Sequence, residues 1–460
     1  MSRRVSLVLG LILFLALMVQ AVARRTPGIA QGPPAVPESA QLPVETRPKR
    51  ELVGTISCSA SVCHGGSGLG QPRSEATTWH AFDPHVRAYD TLLTRQSKAI
   101  AKHLWGEKTT AHEGTLCLKC HVHPDYHPEM ARPNFRKEDG VGCESCHGAA
   151  QNWLTPHYRE SWKQADKLAL GFADTKSLAG RASVCVGCHV GTPGTEVDHD
   201  LIAAGHPALR FEFTTYFANL PPHWNVRKDK DANSTDAKKL VDFEARAWAI
   251  GQFITTASAL ELLRHRMDPK AGKPWPEFAD LDCFACHHDL KAKSWRQHDK
   301  HLGQRRPGAL AWNNWYYAML PDVLAVSHAT KVNAAAESFA AGRDRLERNL
   351  FAEESRRDLA KQAKDLATAL RDVARSQRLA PGDSWLDRLT LERPFDKTWD
   401  DATQRYLALL AVRQMRKDNQ DPEHAELERF ITDLRKDVTF RAFNSPRDFV
   451  PAGLQVMPKE

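Results

Sequence analysis

All ten cysteines of this 460-residue chain fall in five short motifs that end on a histidine. They read Cys58-Ser-Ala-Ser-Val-Cys63-His64, Cys117-Leu-Lys-Cys120-His121, Cys143-Glu-Ser-Cys146-His147, Cys185-Val-Gly-Cys188-His189 and Cys283-Phe-Ala-Cys286-His287. Two thiols about one helical turn apart can each add to a vinyl group of one porphyrin, and the histidine that follows directly meets the iron from one face. The pattern predicts five covalent c-type haems. Cys58, Cys63, Cys117, Cys120, Cys143, Cys146, Cys185, Cys188, Cys283 and Cys286 are the attachment points, and His64, His121, His147, His189 and His287 the proximal iron ligands. The first motif carries four residues between its cysteines instead of two, a loop that still spans two vinyl groups.

Zinc and disulfides account for the pattern less well. A structural zinc site pairs Cys-x-x-Cys units with each other or with spaced histidines, and does not place a histidine after the second cysteine five times over. A disulfide framework needs no adjacent histidine at all. The net charge of +7 and pI near 8.8 invite a nucleic-acid reading. Each ferric haem brings about one net negative charge once both propionates ionise, so five haems cancel most of the excess, and no nucleic-acid partner is expected.

The N-terminus indicates export. Arg3 and Arg4 precede an apolar stretch over residues 5–22, followed by the small-x-small sequence Ala21-Val22-Ala23. Residues 1–23 are therefore read as a signal peptide or, because the apolar run approaches transmembrane length and Arg24-Arg25 follow it, as a membrane anchor. The folded part is expected in the periplasm of a bacterium. Residues 24–50 hold Pro27, Pro33, Pro34, Pro37, Pro43 and Pro48 and read as an extended tether.

The expected fold is mainly α. A loop-rich multihaem cytochrome domain over residues 51–305 packs around its five covalent haems, and a C-terminal α-helical bundle follows over 306–460. Between Cys117 and His189 the loops are short and rich in Gly and Pro, so haem must supply much of the core there. One long helix is expected in the first domain, capped by Asp236 and ending near His265, with Leu240, Phe243, Ala247, Ile250 and Ile254 as a core stripe. In the last third, Leu359, Ala363, Leu366, Leu370 and Val373 form one helix face. Leu427, Phe430, Ile431, Leu434 and Val438 form another, opened by Asp421 with Pro422 in its first turn, and a segment around Tyr406, Leu409 and Leu410 makes a third. The heptad pattern is not sustained, and the oligomeric state stays open. The aromatic run Trp312, Trp315, Tyr316 and Tyr317 is read as packing.

Function turns on the sixth ligand of each iron. A haem with histidine on both faces only passes electrons, whereas one with an open face binds a small molecule. Sixteen histidines lie outside the motif positions. Among them His85, in Asp83-Pro-His-Val-Arg, His157, in Trp153-Leu-Thr-Pro-His, and His206, in Ala204-Gly-His-Pro, are the distal candidates.

The stretch Gly140-Val-Gly-Cys-Glu-Ser-Cys-His-Gly148 with His157 downstream, together with residues 79–93 around His85, resembles the periplasmic multihaem cytochromes of the cytochrome c-554 type, related to the hydroxylamine oxidoreductase group. The resemblance covers residues 58–189 and fades afterwards. It implies that His85 and His157 are distal ligands and that the haem on His121 lacks a distal side chain. Three departures limit it: five motifs instead of four, the longer first motif, and Leu178-Ala-Gly-Arg-Ala-Ser-Val184 where the family carries a histidine before the fourth motif. The distal ligand of the fourth haem is thus open, and His206 is a candidate replacement for one of the haems.

His112 and His127, on either side of the second motif, are weaker candidates, and His123 lies too close to His121 to reach the opposite face of the same haem. For the fifth haem His265, His288, His298, His301 and His328 are within reach along the chain, and none stands out. Pentahaem nitrite reductases place a lysine at the catalytic haem, and all five motifs here end in histidine, which argues against that chemistry. The leading expectation is an electron-transfer cytochrome working between redox partner proteins. The alternative is an oxidoreductase acting on nitric oxide, hydroxylamine or peroxide at the haem on His121. A third reading makes the chain a wired subunit whose C-terminal helices dock a partner enzyme.

Overall fold

A computed structural model describes residues 50–159, 161–223, 228–229, 238–240, 242–287, 310–325, 327, 330–376, 379, 389, 398–418, 420 and 424–438. The apolar N-terminal segment, the tether up to residue 49, the expected caps Asp236, Asp421 and Pro422, and the expected boundary at 305/306 lie outside the described residues.

As far as His189 the elements are short. Helices α1 (Glu75–Phe82) and α2 (Arg95–Trp105) are followed by α3 (Thr115–His121), α4 (Cys143–His147) and α5 (Leu178–His189), each of the last three ending on a motif histidine. Local chemistry starts and stops them. Thr94 caps α2 by accepting from the Ser97 amide, Ser177 caps α5 by accepting from the Gly180 amide, and Gly106 and Gly148 end α2 and α4 with positive φ. Gly140 adopts φ +68, and a Cβ there would meet the carbonyl oxygen of His85 at 2.5 Å, so this turn against the His85 segment requires glycine.

Inside α4, Glu144 is buried and serves as a clasp. Its Oε1 accepts from the amides of Val53 (3.0 Å) and Ala150 (2.7 Å) and its Oε2 from the amide of Gly54 (2.8 Å). Glu144→Ala strands three buried donors and is expected to cost the holoprotein about 3–5 kcal/mol, read from the denaturant midpoint.

Helix α6 (Phe243–Met267) is the centre of the molecule's largest core. The expected stripe is buried at Phe243, Ala247, Ile250 and Ile254, but the helix differs from expectation in two ways. It begins after Asp242, which pairs with Arg246 one turn on (3.1 Å), and Leu240 precedes it. It is also buried on every side. Small residues on its other faces, among them Ala245, Ala249, Gly251 and Ser258, let neighbours approach, and a Cβ on Gly251 would meet Phe213 at 2.6 Å.

After residue 310 come α7 (Thr330–Arg348), α8 (Glu353–Ser376), α9 (Trp399–Asp418) and α10 (His424–Val438). α7 packs on α8, α9 on α10, and both α8 and α9 on α6, which also packs on α5. The apolar faces read from sequence are the ones buried: Leu359, Ala363, Leu366, Leu370 and Val373 in α8, and Leu427, Ile431, Leu434 and Val438 in α10, with Phe430 half-buried against them. One core therefore runs from Leu178 to Val438 and joins the helix of the fourth motif to the C-terminal helices. The residues before it carry two smaller cores, around Leu52, Tyr89 and Leu118 and around Val53, Ala150 and Trp153. Among the described residues no helix is long and apolar enough to cross a membrane, and the only strands are the two-residue pair Lys228–Asp229 and Lys238–Lys239.

Candidate haem site

Four of the five motifs open onto one cavity of about 1400 Å³. Its lining includes Cys58, Cys63 and His64, Cys117, Cys120 and His121, Cys143, Cys146 and His147, and Cys185, Cys188 and His189, joined by His85, His157, His206 and His223. Ordinary small-molecule pockets reach roughly 300–1,000 Å³, and protein interiors are close-packed. A larger void walled by thiols and imidazoles has the donor set and the room for several porphyrins.

The histidines face each other in pairs. His64 and His157 lie 6.2 Å apart between ring centres with planes at 21°, His85 and His189 lie 6.0 Å apart at 73°, and His147 and His223 lie 6.5 Å apart at 64°. A metal–imidazole bond of about 2 Å on each side, plus the distance from nitrogen to ring centre, places two axial rings about 6 Å apart. Each pair joins one motif histidine to one from elsewhere in the chain. The spacing fits an iron between them.

Protonation and orientation agree with that role, because a ligating imidazole holds one N–H in a hydrogen bond and presents its other nitrogen to the metal. Nδ1–H of His64 donates to Glu75 Oε2 (2.8 Å), that of His85 to Asp83 Oδ1 (2.8 Å), that of His121 to the Ala88 carbonyl (2.8 Å), that of His157 to the Leu154 carbonyl and that of His206 to the Pro207 carbonyl (2.8 Å). Burial, and then His223, pushes the His147 imidazole down to about 4, and burial, and then His85, does the same to His189. Burial also lowers His121. These rings are neutral, the form that binds metal.

The other candidates are placed differently. His123 spends both nitrogens, Nε2–H donating to the Glu144 carbonyl (3.2 Å) and Nδ1 accepting from the Asp125 amide (3.1 Å). His127 is exposed and accepts from the Glu129 amide as a helix cap. His112 packs edge-on against Tyr89, and neither it nor His127 lines the cavity. His206 does line it, and its charge acts on His121, but among the described residues no imidazole faces His121 at the spacing of the three pairs. His223 was not singled out from sequence. The signal was there: Pro84-His85, Pro156-His157 and Pro222-His223 are the three Pro-His dipeptides of the chain, and all three histidines stand in pairs.

Thiol contacts order the motifs. Cys58 hydrogen-bonds to Cys143, and Cys120 to Cys188. Cys146 acts electrostatically on both Cys185 and Cys188. Neighbouring motifs thus run first, third, fourth, second.

The fifth motif does not line the cavity. Leu281 just before it bridges to Trp312, and Cys286 and His287 are exposed. Of its distal candidates, His265 is half-buried on α6, and His288, His298, His301 and His328 lie outside the described residues.

Residues 56–148, which contain the first three motifs, match the family model for cytochrome c554 and c-prime. The match supports a c-type cytochrome with covalently bound haem. No curated protein and no solved structure matches the chain.

Proposed function

We propose that the chain is an exported pentahaem cytochrome that passes electrons between redox partner proteins, with residues 1–23 directing it across the cytoplasmic membrane. The observation that carries this reading is the set of three facing imidazole pairs at 6.0–6.5 Å within one cavity. When bound, c-type haem supplies one-electron exchange at its iron. His157 with His64, His223 with His147 and His85 with His189 would hold three of the haem irons. Irons held from both faces in this way would have no position left for substrate, and the hydrogen bonds from His64 to Glu75 and from His85 to Asp83 keep those rings oriented. The contact order first, third, fourth, second makes the haem on His64 one end of the wire and the haem on His121 the other.

The end at His121 favours a second reading. With no described imidazole at ligating distance opposite it, this iron is the place for a small nitrogen or oxygen ligand such as nitric oxide, hydroxylamine or peroxide, and His206 lines the same cavity close enough to act on His121.

Intact mass of the purified holoprotein tests the count, with five haem additions expected. Electron paramagnetic resonance separates the two readings: an all low-spin ferric protein that ignores added cyanide supports transfer alone, and one high-spin, cyanide-binding haem supports the second. His157→Ala is expected to convert one haem from low to high spin and to leave the others as they are. An unchanged spectrum in that variant removes His157 from the ligand set.

A further inference from the structure

The fifth motif stands outside the cavity shared by the other four, so a wire that includes it needs a medium between. We infer that Trp315, Trp399 and Arg210 form the bridge through which the haem on His287 exchanges electrons with the haem on His189. The inference rests on the pentahaem reading above.

The contacts run without a break on the cavity side. Phe211 stacks on His189 at 5.2 Å and 19°, and its carbonyl accepts from Nε1–H of the buried Trp315 (3.0 Å). Trp315 stacks on Trp399 at 6.0 Å and 28°. The Arg210 guanidinium lies over both indoles, 5.8 Å from one and 4.9 Å from the other. Beside this path, Tyr316 Oη–H donates to the Leu209 carbonyl (2.9 Å), which fixes the 209–211 segment to the same run of aromatics.

On the far side the same groups reach the fifth motif. Asn313 N–H donates to the Asp280 carbonyl (2.9 Å) and Asp282 N–H to the Ala311 carbonyl (2.7 Å), while Trp315 N–H donates to Asn313 Oδ1 (2.9 Å). Trp315 is thus tied, through the Asn313 side chain and the backbone pairing of Asn313 with Asp280, to the residues that lead into Cys283. Arg210 also acts on the Cys283 thiol, opposing the upward push of burial.

Packing alone would suit these rings, since buried indoles stabilise wherever they fit. It does not call for an arginine held on two indole faces, between a cavity wall and a haem-attachment cysteine. Electrons tunnel faster through bonded and closely packed atoms than through gaps, and a fixed cation nearby favours the reduced iron. In each transfer one electron leaves a ferrous site, which becomes ferric, and reduces a ferric one. No bond is made or broken.

The test uses the full-length holoprotein with photoreduced flavin as electron source. A Cys283→Ala/Cys286→Ala variant identifies the spectrum and midpoint of the fifth haem. In Trp315→Leu the kinetic phase belonging to that haem is expected to slow by about an order of magnitude, with midpoints unchanged. In Arg210→Met, which keeps the buried stem and removes the charge, the midpoint of the fifth haem is expected to fall. Wild-type kinetics in a Trp315→Leu protein whose mass shows five haems, or an unmoved midpoint in Arg210→Met, overturns the bridge. A mass showing four additions in the parent protein would instead remove the pentahaem reading.

Discussion

Alanine at both Cys143 and Cys146 is expected to yield a protein that does not accumulate in folded form, the largest effect of any single-motif loss. The third motif stands between the others: Cys143 touches Cys58, Cys146 faces Cys185 and Cys188, and Glu144 between them clasps Val53, Gly54 and Ala150. On the pentahaem reading four porphyrins would share the 1400 Å³ cavity, about 350 Å³ each. At about 24 cal/mol per Å³ of void, losing one costs about 8 kcal/mol. Water entering the polar parts of the wall lowers that figure, yet it remains comparable to the roughly 5–15 kcal/mol that holds a typical protein folded. Alanine at Cys283 and Cys286 is the contrast, since that motif lies outside the cavity with Cys286 and His287 exposed, and it is expected to give a stable protein one haem short. Yield of coloured protein, intact mass and far-ultraviolet circular dichroism report both outcomes. Parental yield from the Cys143→Ala/Cys146→Ala chain would mean that the cavity is not held open by haem.

What the sequence made legible follows from how local each signal is. A haem motif is complete within five to seven residues, so all five could be read directly, and an amphipathic helix such as α8 repeats its signal over many turns. Distal ligation is a contact between distant segments. The neighbourhoods of His85 and His157 make them candidates and a family resemblance implies their distal role, but it is silent about His223, which lies beyond the stretch it covers. α6 was misread for a related reason. Periodicity reports the large residues of one face, and nothing in it says that Ala245, Ala249 and Gly251 are small because other helices lie against them. The shared core from Leu178 to Val438 was equally out of reach, because the residues that join α5, α6, α8, α9 and α10 are separated by up to 260 positions.

Arg266→Met is expected to destabilise the holoprotein by about 3–5 kcal/mol at neutral pH, by leaving Asp280 without its counter-ion and Glu196 with Lys273 alone. Arg266 sits near the end of α6 with 5% of its side chain exposed, its Nε 2.7 Å from Glu196 Oε2 and its Nη1 2.6 Å from Asp280 Oδ1. Lys273 completes the cluster at 2.8 Å from Glu196 Oε1. The cluster ties the loop after the fourth motif to the approach of the fifth, so its loss loosens the junction between the cavity and the fifth motif. Burial lifts Asp280 to about 6 against the pull of Arg266, whereas at Glu196 burial is outweighed by Arg266 and Lys273 and the carboxyl sits below its ordinary value. A raised carboxyl contributes stability that is present below its unfolded pKa and is lost as pH rises through the folded one; a depressed carboxyl contributes stability present above its unfolded pKa and lost as pH falls through the folded one. In the parent the two carboxyls therefore work in opposite directions. Without Arg266 the Asp280 carboxyl shifts further upward while Glu196 keeps Lys273, so Asp280 takes up a proton on folding and the native state recovers as the solution is acidified. The deficit of the variant should be widest above about pH 7 and narrow as pH falls through about 6, and Asp280→Asn added to Arg266→Met should recover part of it at neutral pH. Denaturant midpoints of the three proteins at about pH 5 and pH 7.5 measure this, and a deficit independent of pH would show that the lost packing of the Arg266 stem, and not the uncompensated Asp280 carboxylate, sets the cost.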